Sequence, residues 1–121
     1  RGKEEDRLDE LSHLFQKMAE HSDRDASELL TIVERSNLTR LSKTNLYAAL
    51  FIGKVDAERR INEDDIILLR KISEQDTSLT YTVSRAFREA LQRAEKNTPR
   101  SLRDDLRNVR LPRSDYRHTN R

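Results

Sequence analysis

The chain of 121 residues contains no cysteine, which excludes disulfide bonds, thiolate metal sites and cysteine nucleophiles. Only two glycines and two prolines occur, which argues against a turn-rich all-β fold and against a low-complexity chain. No apolar run approaches the roughly 18 residues of a membrane-spanning helix, and no signal peptide is recognised. We therefore expect an intracellular protein, cytoplasmic or nuclear.

The residue patterns that carry catalysis or cofactor binding are also missing. Gly2 and Gly53 stand alone, so the chain has no glycine-rich phosphate-binding loop. The three histidines form no zinc-ligand cluster with acids, and no Ser/His/Asp arrangement stands out. None of the 22 acidic residues is singled out as a catalytic pair. The sequence predicts a protein that is not an enzyme and that holds no cofactor or metal.

Charge is abundant and unevenly distributed. Charged residues make up 38% of the chain and hydrophobic residues 34%, so we expect either a thin core or a core completed by a partner or a second copy. Residues 1–98 contain 17 Lys and Arg against 19 Asp and Glu, a net charge of −2. Residues 99–121 contain seven Arg against three Asp, a net charge of +4. Arginine pairs bidentately with phosphates and carboxylates, so the C-terminal segment favours an anionic partner.

Apolar residues recur at three- and four-residue steps along most of the chain, which is the period of an amphipathic helix. The pattern predicts an all-α fold, a compact single-domain bundle of five to six short helices with an Arg-rich C-terminal helix and tail. We expect a first helix from about Glu4 to His21, a second that stops near Asn37, and a third that ends or bends at Gly53. The expected helix starts are Asp25, Ser42, Asn62, Thr77 or Ser78, and Thr98 with Pro99 at the first helical position. The expected core comprises Leu11, Leu14, Phe15, Leu29, Val33, Leu46, Leu50, Ile66, Leu69, Val83, Phe87 and Leu91.

The join at Thr98-Pro99 divides the chain into a bundle domain, 1–98, and a C-terminal part, 99–121, consisting of a short helix and a disordered tail. That helix has one apolar stripe, formed by Leu102, Leu106 and Val109. The stripe is expected to be buried against another apolar surface. The stripe docks either on its own bundle or on another chain. The substitution Leu106→Asp separates these cases. If the helix docks on its own bundle, the buried unpaired charge destabilises the domain; if it docks on another chain, stability is unchanged and association is lost.

One functional hypothesis is a non-catalytic protein-interaction or adaptor module, a fragment of a larger regulatory protein, with self-association left open. The third helix is apolar almost all round between Leu46 and Ile52, which fits central burial or a face left for a partner. The expected partner site comprises Tyr47, Phe51, Leu102, Leu106 and Val109.

The other functional hypothesis is an RNA-binding regulatory domain. Arginines would contact phosphates and an aromatic ring would stack on a base, and RNA is favoured over DNA because no recognition helix with base-reading residues stands out. The expected contacts are Arg100, Arg103, Arg107, Arg110, Arg113, Tyr116 and Arg117. The competing interpretation is that Arg103, Arg107 and Arg110 pair with Asp104, Asp105 or acids on the body.

Two resemblances consist of generic helical patterns. Segments from Glu28 to Asp56 are similar to the last helices of a death effector domain, but Lys54-Val55-Asp56-Ala57 departs twice from that family's closing Arg-x-Asp-Leu. Leu29–Val33, Leu41–Thr44, Asp65–Arg70 and Arg110–Pro112 follow the order of similar segments in the helical cores of pneumovirus and filovirus transcription cofactors. This second resemblance implies binding to RNA and to a viral protein.

Overall fold

A computed structural model describes residues 2–21, 26–74 and 79–108. These residues form six α-helices and one 3₁₀ turn, with no strand in the described ranges, so the predicted all-α bundle is confirmed. The elements in chain order are α1 (Gly2–His21), α2 (Ala26–Glu34), α3 (Arg40–Asp56), α4 (Glu63–Ser73), α5 (Tyr81–Asn97), the 3₁₀ turn (Arg100–Leu102) and α6 (Arg103–Arg107).

Helix α3 is the centre of the bundle. Residues 44–55 are all buried, and α1, α2, α4 and α5 all pack on this helix. Two of its buried polar side chains donate to the helix's own backbone, Thr44 Oγ1 to the Arg40 carbonyl at 2.9 Å and Asn45 Nδ2 to the Leu41 carbonyl at 2.8 Å. The interpretation of α3 as a centrally buried helix is confirmed.

Helix α1 makes its most extensive contacts with α3 and runs parallel to it. Asp9 bonds to Thr80, which also bonds to Asn45 near the start of α3, whereas Gln16 Nε2 donates to Asp56 Oδ2 at 2.8 Å near its end. At Gly53 the helices come so close that an added Cβ would lie inside van der Waals contact of the Gln16 carbonyl oxygen. The expectation that α3 ends at Gly53 is wrong, because the helix continues to Asp56.

Leu14 was expected in the core but is 59% exposed. The buried positions of α1 are Leu8, Ser12 and Ala19, one and two turns apart, and the small side chains permit the close approach to α3. Leu14 belongs to a neighbouring stripe that faces away from α3. Among the other expected core residues, Leu11, Phe15 and Leu91 are partly buried and pack against the core, and the remaining eight are buried at its centre. Phe51 and Phe87 meet edge to face in that core, with ring centroids 5.8 Å apart.

Three helix starts are fixed by side-chain caps. Asn62 caps α4 as expected, in a capping box with Asp65. The cap of α3 is Thr39, not the expected Ser42. Thr39 Oγ1 accepts a hydrogen bond from the Ser42 backbone N–H. The cap of α5 is Thr80 instead of Thr77 or Ser78, because the Thr80 backbone N–H donates to Asn45 Oδ1 at 2.9 Å and its hydroxyl bonds to Asp9. The expected cap Asp25 lies outside the described residues, and α2 ends at Glu34, before Asn37.

Candidate nucleic-acid interface

A basic groove lies between the α3–α4 turn and the C-terminal end of α5. It is an open surface groove with a volume of about 420 Å³. Its lining comes from two segments that are distant in sequence, Glu58 and Arg60 from the turn, and Lys96, Asn97, Thr98, Pro99, Arg100 and Arg103 from the other side. We refer to these eight residues as the basic groove.

The α3–α4 turn begins with a Schellman motif. The Glu58 N–H donates to the Val55 carbonyl at 2.9 Å, and the Arg59 N–H donates to the Lys54 carbonyl at 3.3 Å. Glu58 has a φ of 56°, and it is the one non-glycine residue with positive φ in the described part of the chain. This left-handed conformation is usually taken by glycine, since it costs an L-residue about 1–2 kcal/mol.

The turn ends at a buried ion pair that joins α3 to α4. Lys54 Nζ lies 2.5 Å from Asp65 Oδ2, and the two side chains are 10% and 1% exposed. The same carboxylate oxygen accepts from the Asn62 backbone N–H at 2.8 Å. Since a buried carboxylate needs these partners, both ends of the turn are held and the positions of Glu58 and Arg60 are fixed relative to the core.

The other side of the groove is formed where α5 ends. Thr98 is buried and is the C-cap of α5, and its hydroxyl donates to the Ala94 carbonyl at 2.5 Å. The expectation that Thr98 caps the last helix is wrong, because its hydroxyl is used by the preceding helix. Pro99 precedes the 3₁₀ turn without a side-chain cap, and its carbonyl accepts from the Leu102 N–H at 2.9 Å. Arg103 Nε donates to the Thr98 carbonyl at 3.4 Å.

Charge in the groove is unbalanced. Four cationic side chains and one carboxylate give it a net charge of +3, against +2 for the whole chain. Within the described residues, Arg60, Lys96 and Arg100 form no ion pair. Some cations elsewhere on the bundle have acidic partners, for example Lys71 with Glu34 at 2.7 Å. The groove therefore concentrates cationic side chains that are free to bind an anion.

The arginines predicted to bind RNA have different positions. Arg100 and Arg103 line the groove. Arg107 Nε lies 3.2 Å from Glu95 Oε2, which is the pairing with a body acid that the competing interpretation expected. Four predicted contacts lie outside the described residues, namely Arg110, Arg113, Tyr116 and Arg117. Sequence reasoning missed Arg60 and Lys96, whose surroundings carry no local motif and which the fold brings to Arg100.

The residues predicted to contact a partner protein are mostly inside the bundle. Phe51 is fully buried and Tyr47 is 7% exposed, so neither presents a surface. Leu106 is 4% exposed and belongs to the core, and half-buried Leu102 packs against that core. The short helix α6 therefore docks on its own bundle, against α4. Val109 lies outside the described residues.

Other kinds of site are not seen in the described ranges. They contain no group of three or more potential metal-ligating side chains, and none of their helices is both long enough and apolar enough to cross a membrane. Comparisons with protein-family models, curated proteins and solved structures gave no match.

Proposed function

We propose that this chain is a non-catalytic module that binds single-stranded RNA, with the basic groove holding backbone phosphates. The observation that supports the proposal most directly is the convergence of Arg60, Lys96, Arg100 and Arg103 in one groove with no acidic partner for the first three among the described residues. Guanidinium groups present several N–H donors in a fixed fork that matches phosphate oxygens.

The position of the groove supports the same proposal. The C-terminal arginines of the sequence begin at Arg100, inside the groove. The guanidinium of Arg103 uses one of its five N–H donors on the Thr98 carbonyl, which leaves the others for a ligand.

The experiment is a titration of a fluorescent single-stranded RNA at several salt concentrations. Each phosphate neutralised in a single strand contributes about −0.7 to the slope of log affinity against log salt, so three or four groove contacts give a slope of about −2 to −3. Combined substitution of Arg60, Arg100 and Arg103 by Gln should weaken binding at low salt and reduce that slope by about 2.

A matched control removes three positive charges elsewhere. Arg7, Arg35 and Arg40 are exposed, form no ion pair within the described residues and lie outside the groove, and their combined substitution by Gln should weaken binding much less. A second variant, with Arg110, Arg113 and Arg117 replaced by Gln, measures the contribution of the segment beyond α6. Equal losses in the groove variant and the control variant would contradict the proposal, because they would show a response to net charge alone.

A protein-interaction module is the second candidate function, and exposed apolar side chains on α1 favour it. Leu14 and Met18 lie one turn apart on that helix and are 59% and 46% exposed. If this face binds a second copy of the chain, light scattering should show a dimer that Leu14→Gln with Met18→Gln converts to a monomer of unchanged stability. A wild-type protein that is monomeric at high concentration would remove self-association.

A further inference from the structure

Glu58 is the acidic member of an otherwise cationic groove, and its side chain is exposed. It forms no ion pair with the groove cations or with any other described residue. An anion alone would be opposed by this carboxylate, since like charges repel at short range. The groove thus offers free cationic donors and one free anionic acceptor, which fits a ligand that carries phosphates together with a hydrogen-bond donor.

The backbone at Glu58 points to the same conclusion. Its φ of 56° is the position of a Schellman motif that glycine occupies without strain. A glutamate lines the groove at this position at a conformational cost, and such strained residues cluster at binding sites. The buried Lys54–Asp65 pair holds the far end of the same turn.

We propose that Glu58 accepts a hydrogen bond from a ribose 2′-hydroxyl of a strand whose phosphates are bound by the groove cations, so that the groove selects RNA over DNA. This inference rests on the proposed function and names the group that distinguishes the two nucleic acids. The 2′-hydroxyl is the donor that RNA has and DNA lacks. A deoxyribose strand would leave the carboxylate close to phosphates with no donor to compensate, which lowers affinity for DNA.

The test compares three fluorescent oligonucleotides of one sequence on the full chain: oligouridine RNA, the 2′-deoxy strand and the 2′-O-methyl strand. The 2′-O-methyl strand removes the donor while it keeps a ribose-like sugar conformation. For the wild type we expect RNA to bind about tenfold more tightly than either of the other strands, as for one hydrogen bond to a charged group. In Glu58→Gly the deoxy strand should bind more tightly and the RNA/DNA ratio should fall to about 1, whereas Glu58→Gln keeps an acceptor oxygen without the charge and should lower the ratio less.

The matched control is Glu10→Gln, which removes one negative charge from an exposed position on α1 and should leave the ratio at the wild-type value. Equal tightening for all three strands in Glu58→Gly would overturn the inference, because Glu58 would then act only by repulsion. Equal binding of the 2′-O-methyl strand and RNA by the wild type would overturn it as well. RNA binding that is absent, or insensitive to the Arg60, Arg100 and Arg103 substitutions, would instead refute the proposed function.

Discussion

Gly53→Ala tests how closely α1 and α3 pack. In an exposed helix interior this substitution stabilises a protein by about 1 kcal/mol, because alanine has the higher helix propensity. Here the new Cβ would lie inside van der Waals contact of the Gln16 carbonyl oxygen and 2.8 Å from the Ala19 Cβ. The obstacle is mainly backbone, which no side-chain rotation can remove, so α1 has to shift along the longest interface of the bundle. Overpacking of a core costs about 1–3 kcal/mol, and a backbone obstacle places the cost at the upper end, so after the gain in helix propensity we expect a net loss of about 2 kcal/mol.

Urea unfolding followed by circular dichroism measures this change, and the melting temperature should fall by about 5–15 °C for a chain of this size. Combining Gly53→Ala with Ala19→Gly removes the contact at 2.8 Å but leaves the contact with the Gln16 carbonyl. The double variant should therefore regain the stability lost through the Ala19 contact, less the helix-propensity cost of the new glycine. It should remain less stable than the wild type because the contact with the Gln16 carbonyl is still present. A Gly53→Ala protein as stable as the wild type, or more stable, would refute the described approach of the two helices.

Three further predictions concern the core and its response to pH. Leu106→Asp should lower the free energy of unfolding by about 3 kcal/mol or more, because it buries a charge without a partner, and unchanged stability in urea unfolding would mean that α6 does not dock on the bundle. Phe87→Ala should cost about 3–5 kcal/mol in the same assay, and a cost below 1 kcal/mol would contradict its burial. Burial and the nearby Glu34 raise the pKa of Tyr47 above 10.0, and a hydrogen bond to Glu34 raises the pKa of Lys71 above 10.5. The folded state then keeps protons that the unfolded state releases, so stability should fall as the pH rises above about 10, and Tyr47→Phe should reduce that fall.

Sequence patterns within one or two turns predicted the helices. They did not predict features that depend on contacts with residues of another helix. The cap at Asn62 depends on residues within one turn, and the sequence predicted it. The cap at Thr80 depends on Asn45 and Asp9, which lie on other helices, so local inspection placed the start of α5 too early. Leu14 was assigned to the core because it is large and apolar. The face of α1 that packs on α3 instead includes the small residues Ser12 and Ala19, which allow the two helices to approach closely.

The candidate site was half predictable for the same reason. Arg100 and Arg103 belong to a run of arginines that stands out in composition, and both were named as binding residues. Arg60 precedes Lys96 by 36 positions and has no motif around it, so only the packing of the α3–α4 turn against the end of α5 joins them. The left-handed conformation of Glu58 was equally hidden, since nothing in the sequence marks a glutamate as the end of a Schellman motif.

Buried polar contacts attach both walls of the groove to the core. One wall is attached to the core through Lys54 and Asp65, and the other through the Thr98 hydroxyl on the Ala94 carbonyl. Removing one partner of a buried ion pair leaves an uncompensated charge, so these bonds fix the walls more firmly than surface contacts do. Exposed arginines on fixed walls lose less conformational freedom of the backbone when they bind than the same residues would on a flexible chain. The proposed role of Glu58 depends on this rigidity, because a carboxylate on a fixed wall keeps one position relative to the groove cations.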